Sequence, residues 1–422
     1  MMNAQGRWTG EIAYGQCIAH GKDSLQWIPM KQFTMYLIWL TALSGCNPTA
    51  GPPPIVIGHV SDKTRQDKAG EQAELGIRLA LNHLNNEAFA KEFGGRPIQV
   101  RHTDTRGLLD AFESQAVRLE SVNRSLALFG GFSVPETTAL HHAKVPLLTL
   151  HGQPAAGASN FVFYLGMSPT RQGALLAKIV AEDLKTKQIT ILLDVKNPAS
   201  VAVVDSFQKS LPQSRKNAKQ ATAGVMVLRF GEDSAPAPRP AGESKWHDLN
   251  KRLIDQEPDT VLFAGSVQDF NTWHNSLRKE HPKANPQIVF AGADGSQRLF
   301  DLDGGNKMAV TMATAFYADP AAEKLTPFLK AYHEAFQVEA DVHAAVAYDG
   351  FRMLVEAMKR TAAQLTPEKV RDELVKTKDF DGLSGPLTMT ADRQMQRTIY
   401  GVSWQNGAMK LIRAFPVDKE FP

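Results

Sequence analysis

Cysteine is almost missing from this chain: Cys17 and Cys46 are the only two in 422 residues. A framework of disulfides is therefore excluded, and stability has to come from buried apolar surface. Charge of one sign is missing too. With 47 basic and 44 acidic residues the formal net charge is +3, which leaves no electrostatic footprint for nucleic acid. Long apolar runs are lacking, and the longest, within residues 33–43, falls short of the ~20 residues a membrane-spanning helix needs. Several chemical signatures are also absent. Gly130-Gly131 does not extend to Gly-x-Gly-x-x-Gly, no phosphate loop occurs, and Ser133 lacks the Gly-x-Ser-x-Gly setting of a hydrolase nucleophile. No Cys or His pair has structural zinc spacing. His141 and His142 are adjacent on an expected helix and cannot face one ion, and His59 and His102 read as core or surface residues of strands. Nothing here asks for an enzyme, a metal or a cofactor.

What is present begins at Met30-Lys31-Gln32. A short apolar stretch from Phe33 follows and ends in Leu43-Ser44-Gly45-Cys46. One cation, a brief apolar run and small residues before the cysteine make a secretory signal. A buried core segment with a chance cysteine is the other reading, against which the Pro-rich sequence that follows argues. The ending resembles the lipobox of bacterial lipoproteins, in which the thiol is acylated and the chain is cut just before it. That resemblance implies a signal peptide at 30–45, a lipid anchor at Cys46, a tether at 46–54 and a periplasmic or otherwise extracytoplasmic body held to the membrane. Residues 1–29 show no sustained apolar period and are expected to be a non-native extension ahead of the true start.

From Ile55 onward short β-branched runs alternate with amphipathic helical patterns. Ile55-Val56-Ile57-Gly58-His59-Val60 reads as a buried strand, and residues 70–86 as a helix with Ala73, Ile77, Ala80, Leu81 and Leu84 on one face. Strand at 98–102, helix at 109–122, strand at 126–129 and strand at 145–150 continue the rhythm. It restarts with helices at 172–184 and 200–211 and strands at 189–193, 225–230, 261–265 and 287–291. Alternation of this kind means βαβ units and mainly parallel sheets covered on both faces. The array is too long for one open sheet, so an α/β protein with two doubly wound lobes is expected. Helices at 327–336, 342–359 and 367–376 and strands at 387–389 and 398–404 must rejoin sheets already built. The Pro-rich run within 231–245 reads as a surface loop.

At this level the chain resembles type I periplasmic binding proteins of the branched-chain amino acid (Leu/Ile/Val-binding) group, the substrate receptors of ABC importers. The resemblance rests on Gly70-Glu71-Gln72 with Gly76-Ile77, on Phe290-Ala291-Gly292-Ala293-Asp294-Gly295, on Ala344-Ala345-Val346-Ala347-Tyr348-Asp349-Gly350 and on Asp379-Phe380-Asp381-Gly382-Leu383-Ser384-Gly385-Pro386. It implies two Rossmann-like lobes joined by three hinge crossings, near 168–171, 312–317 and 385–388. The lobes would comprise residues 55–169 with 313–385, and 170–312 with 386–422. A small ligand would be enclosed between them and passed to ABC permease subunits.

Candidate ligand residues follow from the same comparison. Ser133, after Gly130-Gly131 and before an expected helix, matches a serine that grips the ligand's carboxylate, and unpaired N–H groups suit an anion there. It could equally cap that helix. Asp294 matches the acid that pairs with an ammonium, or it forms an Asx-type turn among its glycines. His151 and Gln153 stand where the family has a small residue and then Ser or Thr. Pro198 lies in the stretch that replaces a tyrosine, and Ser266 in a loop that often carries an aromatic. These departures point to a small polar ligand, an amino acid, an amide or a relative of these. They also keep open a regulatory or sensory lipoprotein that uses the same fold for sensing or protein docking.

Overall fold

The computed structural model describes residues 51–64, 68–84, 91–132, 134–139, 143–152, 154, 156–219, 224–231, 244–291, 309–319, 321–405 and 408–417. The first sheet contains β1 (Ile55–Ser61), β2 (Ile98–Asp104), β3 (Ala127–Phe129), β4 (Leu147–Thr149) and β5 (Val162–Tyr164), in the order β2-β1-β3-β4-β5 and parallel throughout. Its crossovers include α1 (Ala69–Leu84), α2 (Leu109–Ser121) and α3 (Val134–Ala139). Ile55, Ile57 and Phe129 are buried on one face with Ala73, Ile77 and Ala80 of α1. Val60 and Leu128 are buried on the other with Phe112, Ala116 and Leu119 of α2. Burial on both faces is why these strands read as nearly continuous apolar runs.

After β5 the chain crosses into a second sheet through α4 (Pro169–Lys178), which Ser168 caps by accepting from Arg171 N at 3.2 Å. Here β6 (Ile189–Asp194), β7 (Val225–Phe230), β8 (Thr260–Ala264), β9 (Gln287–Phe290) and β10 (Val310–Thr314) repeat the parallel winding as β7-β6-β8-β9-β10. Between them come α5 (Pro198–Asn217), α6 (His247–Ile254) and α7 (Val267–Glu280). Phe263, Phe270, Trp273 and Phe290 fill one face of this sheet, with Phe263 stacked on Trp273 at 5.2 Å between centroids.

The chain then returns to the first lobe. The helices α8 (Thr326–Phe336), α9 (Val342–Arg360) and α10 (Pro367–Val375) follow, and α9 packs on α1. Gly76 makes that approach possible, because a Cβ there would lie 2.2 Å from the Ala344 carbonyl oxygen. A small antiparallel sheet of β11 (Phe380–Gly382), β12 (Gly385–Met389) and β13 (Met395–Gln396) leads the chain across for the third time. The strands β14 (Ile399–Gln405) and β15 (Ala408–Phe415) then add antiparallel to β10 and to each other. The result is an α/β fold of two Rossmann-like lobes joined by three crossings.

Several boundaries differ from the sequence expectation. The helix expected at 200–211 runs on through Pro212 to Asn217. Its last turns are held by Arg215, which donates from Nη2 to the Lys187 carbonyl at 3.1 Å. The helix expected over 172–184 ends at Lys178 and continues as a π-helical turn, Ile179–Asp183. That turn sets Glu182 and Asp183 side by side for Arg413 of β15, at 2.5 and 2.7 Å. The strand β15 was not anticipated, and the loop read within 231–245 lies mostly outside the described residues. Among the described residues no helix is long and apolar enough to cross a membrane.

Candidate functional site

In each parallel array the strand order reverses beside the first strand, between β1 and β3 and again between β6 and β8. Crossovers leave such a pair in opposite directions, which opens a crevice at the carboxyl ends of the strands where ligands of doubly wound folds bind. The first crevice is flanked by the segment after β1 and the turn after β3. Asp62 is nearly buried there, and its Oδ1 accepts from Thr64 N at 2.8 Å and from the Thr64 hydroxyl at 2.5 Å. Gly130 and Gly131 follow β3 with φ of 150° and 80°. A Cβ on Gly131 would sit 2.8 Å from the Thr137 hydroxyl, so the turn needs glycine for space as well as for conformation. The next N–H, of Phe132, donates to Glu136 Oε2 at 2.5 Å, so the protein's own carboxylate is recognised by this turn.

His151 lies just beyond β4 and joins the same group. Leu150 N donates to the Gly131 carbonyl at 3.1 Å, tying the β4 turn to the β3 turn. The His151 Nε2 and the Thr137 hydroxyl are hydrogen-bonded, and the ring meets Tyr164 edge-on at 5.8 Å. Burial lowers the imidazole from its ordinary 6.5 to about 4, which makes it neutral at physiological pH. It offers hydrogen bonding without charge.

At the second crevice Asp194 Oδ1 accepts from Lys196 N at 3.0 Å, and Asn197 Oδ1 accepts from Ala199 N and Ser200 N. Pro198 takes the first turn of α5, where its missing N–H costs nothing. Ser266 caps α7: its hydroxyl accepts from Asp269 N at 3.0 Å and donates to Asp269 Oδ2 at 2.7 Å. His151 thus belongs to one crevice, and Pro198 and Ser266 border the other. Ser133, Gln153, Asp294 and Cys46 lie outside the described residues.

Sequence reasoning did not single out Asp62, Lys63 and Thr64, although the β1 tip is where the switch point predicts contacts. Nor did it join His59, His102 and Glu74, which the fold brings together. The signal for that pair was available, since Ile55 to His59 and Ile98 to His102 are equivalent strand starts. An open cavity of about 920 Å³ lies elsewhere, lined by Leu253, Pro258, Asp259, His281, Pro286 and others. It adjoins the amino-terminal ends of β8 and β9, the opposite end of those strands from the crevice.

Residues 54–408 match a family described as periplasmic binding protein. Among solved structures, the leucine binding protein LivK of Thermotoga maritima is similar with 19% identity and a TM-score of 0.72, covering 86% of this chain and 99% of that one. The substrate binding protein LivJ of Streptococcus pneumoniae, in complex with isoleucine, has 20% identity and a TM-score of 0.70 over 86% of this chain and 99% of its own. A solute binding protein of an ABC transporter from R. palustris, in complex with 4-hydroxybenzoate, has 16% identity and a TM-score of 0.69 over 88% and 99%. At these identities the likeness is one of fold. No curated protein sequence matches this chain.

Proposed function

Because the chain belongs to the periplasmic binding protein family, we propose that it is the extracytoplasmic solute receptor of an ABC importer, anchored by lipid at Cys46 and closing its two lobes on a small carboxylate-bearing ligand. The observation that carries the reading is the pairing of two switch-point crevices, one per lobe, on a chain that crosses between the lobes three times. A ligand touching both crevices would favour the closed arrangement through contacts it makes only there. The carboxylate preference is supported by the turn after β3, where the Phe132 N–H binds the carboxylate of Glu136, a bond that a ligand's carboxylate would have to displace. Ser133 stands next to it in sequence and would supply a hydroxyl to the same group. Asp294, after β9, would meet an ammonium if the ligand is an amino acid. The structural neighbours were solved with isoleucine and with 4-hydroxybenzoate, so amino acids and aromatic acids are the first classes to try.

Thermal unfolding of the purified chain across amino acids, their amides and benzoate-type acids tests the proposal. A concentration-dependent rise in Tm is expected for one class, by mass action on the folded state. A well-folded sample whose Tm stays constant through the whole set overturns the solute-receptor reading in favour of a sensory or docking role.

A further inference from the structure

In the first sheet β1 and β2 run parallel in register, and His59 is paired directly with His102. Side chains at paired positions leave the same face of a sheet. The two imidazoles meet with Nδ1 atoms 3.0 Å apart and rings nearly perpendicular, at 5.1 Å between centroids. Glu74, in the second turn of α1 above this face, brings Oε2 to 3.9 Å from His102 Nδ1. One ligand atom from each residue lies within 4.8 Å of the other two. Zinc binds imidazole nitrogen and carboxylate oxygen at ~2.0–2.2 Å in a tetrahedron, which sets ligand atoms roughly 3.3 Å apart. The separations of 3.0 Å between the two nitrogens and 3.9 Å from His102 to Glu74 bracket that span.

We propose that His59, His102 and Glu74 form a binding site for a divalent transition-metal ion of the zinc class. The proposal does not depend on the solute-receptor reading. Two imidazole nitrogens and one carboxylate oxygen suit zinc, iron(II), cobalt or nickel, whereas magnesium and calcium prefer oxygen alone. A hydrogen bond between the imidazoles is the competing account of their approach. It demands opposite tautomers of two rings that face each other Nδ1 to Nδ1, and a shared cation removes that demand. His59 is wholly buried, whereas the His102 and Glu74 side chains are 23% and 15% exposed although Glu74 Oε2 itself is buried. Lys63 sets its ammonium 2.8 Å from Glu74 Oε2, so a positive charge already sits beside these ligand atoms. Its side chain is 43% exposed on a long stem and can leave for water when a metal ion enters.

The test is competition between the untagged, chelator-stripped chain and a chromophoric zinc indicator, with cobalt(II) absorption as a second readout. The chain should take up one zinc ion with micromolar affinity or better, and cobalt should show the visible bands of a low-coordinate nitrogen-oxygen site. Other histidines in the chain could hold zinc weakly, so His102→Ala and Glu74→Gln decide the assignment. Both residues are partly exposed, and circular dichroism would verify folding. Each variant should weaken zinc by more than the roughly 10–100-fold typical of losing a hydrogen-bond partner behind a ligand. Lys63→Met should tighten it by removing the competing ammonium. Zinc affinity in either His102→Ala or Glu74→Gln equal to that of the unaltered chain overturns the proposal, as does failure of the unaltered chain to compete with the indicator.

Discussion

Asp349, in the middle of α9, accepts the backbone N–H of Leu383 with both carboxylate oxygens at 3.1 Å. The bond ties a first-lobe helix to the segment that carries the chain toward its last crossing. Next to it the Ser384 hydroxyl donates to the carbonyl of Ala315, just after β10, at 3.2 Å. Two of the three crossings are therefore linked to each other and to α9.

The acidity of Asp349 provides one measurable consequence. Burial raises its carboxyl from 3.8 to about 6, against the opposing pull of Arg397 and the Leu383 N–H. The folded state then holds a proton that the unfolded chain has released. Stability from this group is complete below 3.8 and is lost as pH rises through about 6. The shift corresponds to about 3 kcal/mol. In Asp349→Asn the amide oxygen can still accept from Leu383 without titrating. Urea midpoints measured between pH 4 and 7 should show the variant lacking this decline, and curves that run parallel to those of the unaltered chain would refute the assignment.

His151 should act in the opposite direction. Its folded value of about 4 lies below the ordinary 6.5, so the unfolded chain takes up a proton first as pH falls. Stability from this group is complete above 6.5 and is lost as pH falls through about 4, again by about 3 kcal/mol. His151→Gln keeps a partner for the Thr137 hydroxyl and removes the titration. Its midpoint should hold up better in acid than that of the unaltered chain, and an unchanged acid limb would count against a buried neutral imidazole.

Gly76 is required by distance rather than by turn geometry. A methyl group added there meets the backbone of Ala344 at 2.2 Å, so α1 and α9 must separate. Gly76→Ala should cost about 1–3 kcal/mol from overpacking, against a gain in helix propensity of at most ~1 kcal/mol. Calorimetric Tm should fall, and Ala344→Gly should not restore it, because the clash is with a carbonyl oxygen.

Ligand contacts are tested once a stabilising compound is known. Ser133→Ala and Asp294→Ala should each weaken its binding by about 1–3 kcal/mol, the cost of an unsatisfied or lost polar partner. Isothermal titration would measure this, and affinities equal to those of the unaltered chain would remove these two residues from the site. Neither substitution should shift the Tm of the free protein by much if its role is to hold ligand.

Much of the fold was legible locally. The helix at 342–360 was expected to within a residue, because Val346, Leu354 and Met358 repeat at helical spacing, and the structure adds that Asp341 caps its start through His343 N and Ala344 N. The strand β15 was not legible. Its sequence Ala408 to Phe415 is largely exposed on an edge and has no clean alternation. The passage of α5 through Pro212 was also hidden, since proline is a local stop signal and the anchors that override it, such as Arg215 to Lys187, are distant in sequence.

The site divides along the same line. Gly130-Gly131 marked the end of a strand before a helix, but the sequence reading placed Ser266 in a loop and Asn197 in a replaced ligand stretch, and only the structure shows both as helix caps. Local order decided the elements, their alternation and the two-lobed winding that follows from it. Only the tertiary structure decided that His151 shares a hydrogen bond with Thr137 and that His59 stands beside His102 under Glu74. Those meetings depend on strand register and helix docking, which are fixed by burying whole faces at once and leave no mark at any single position.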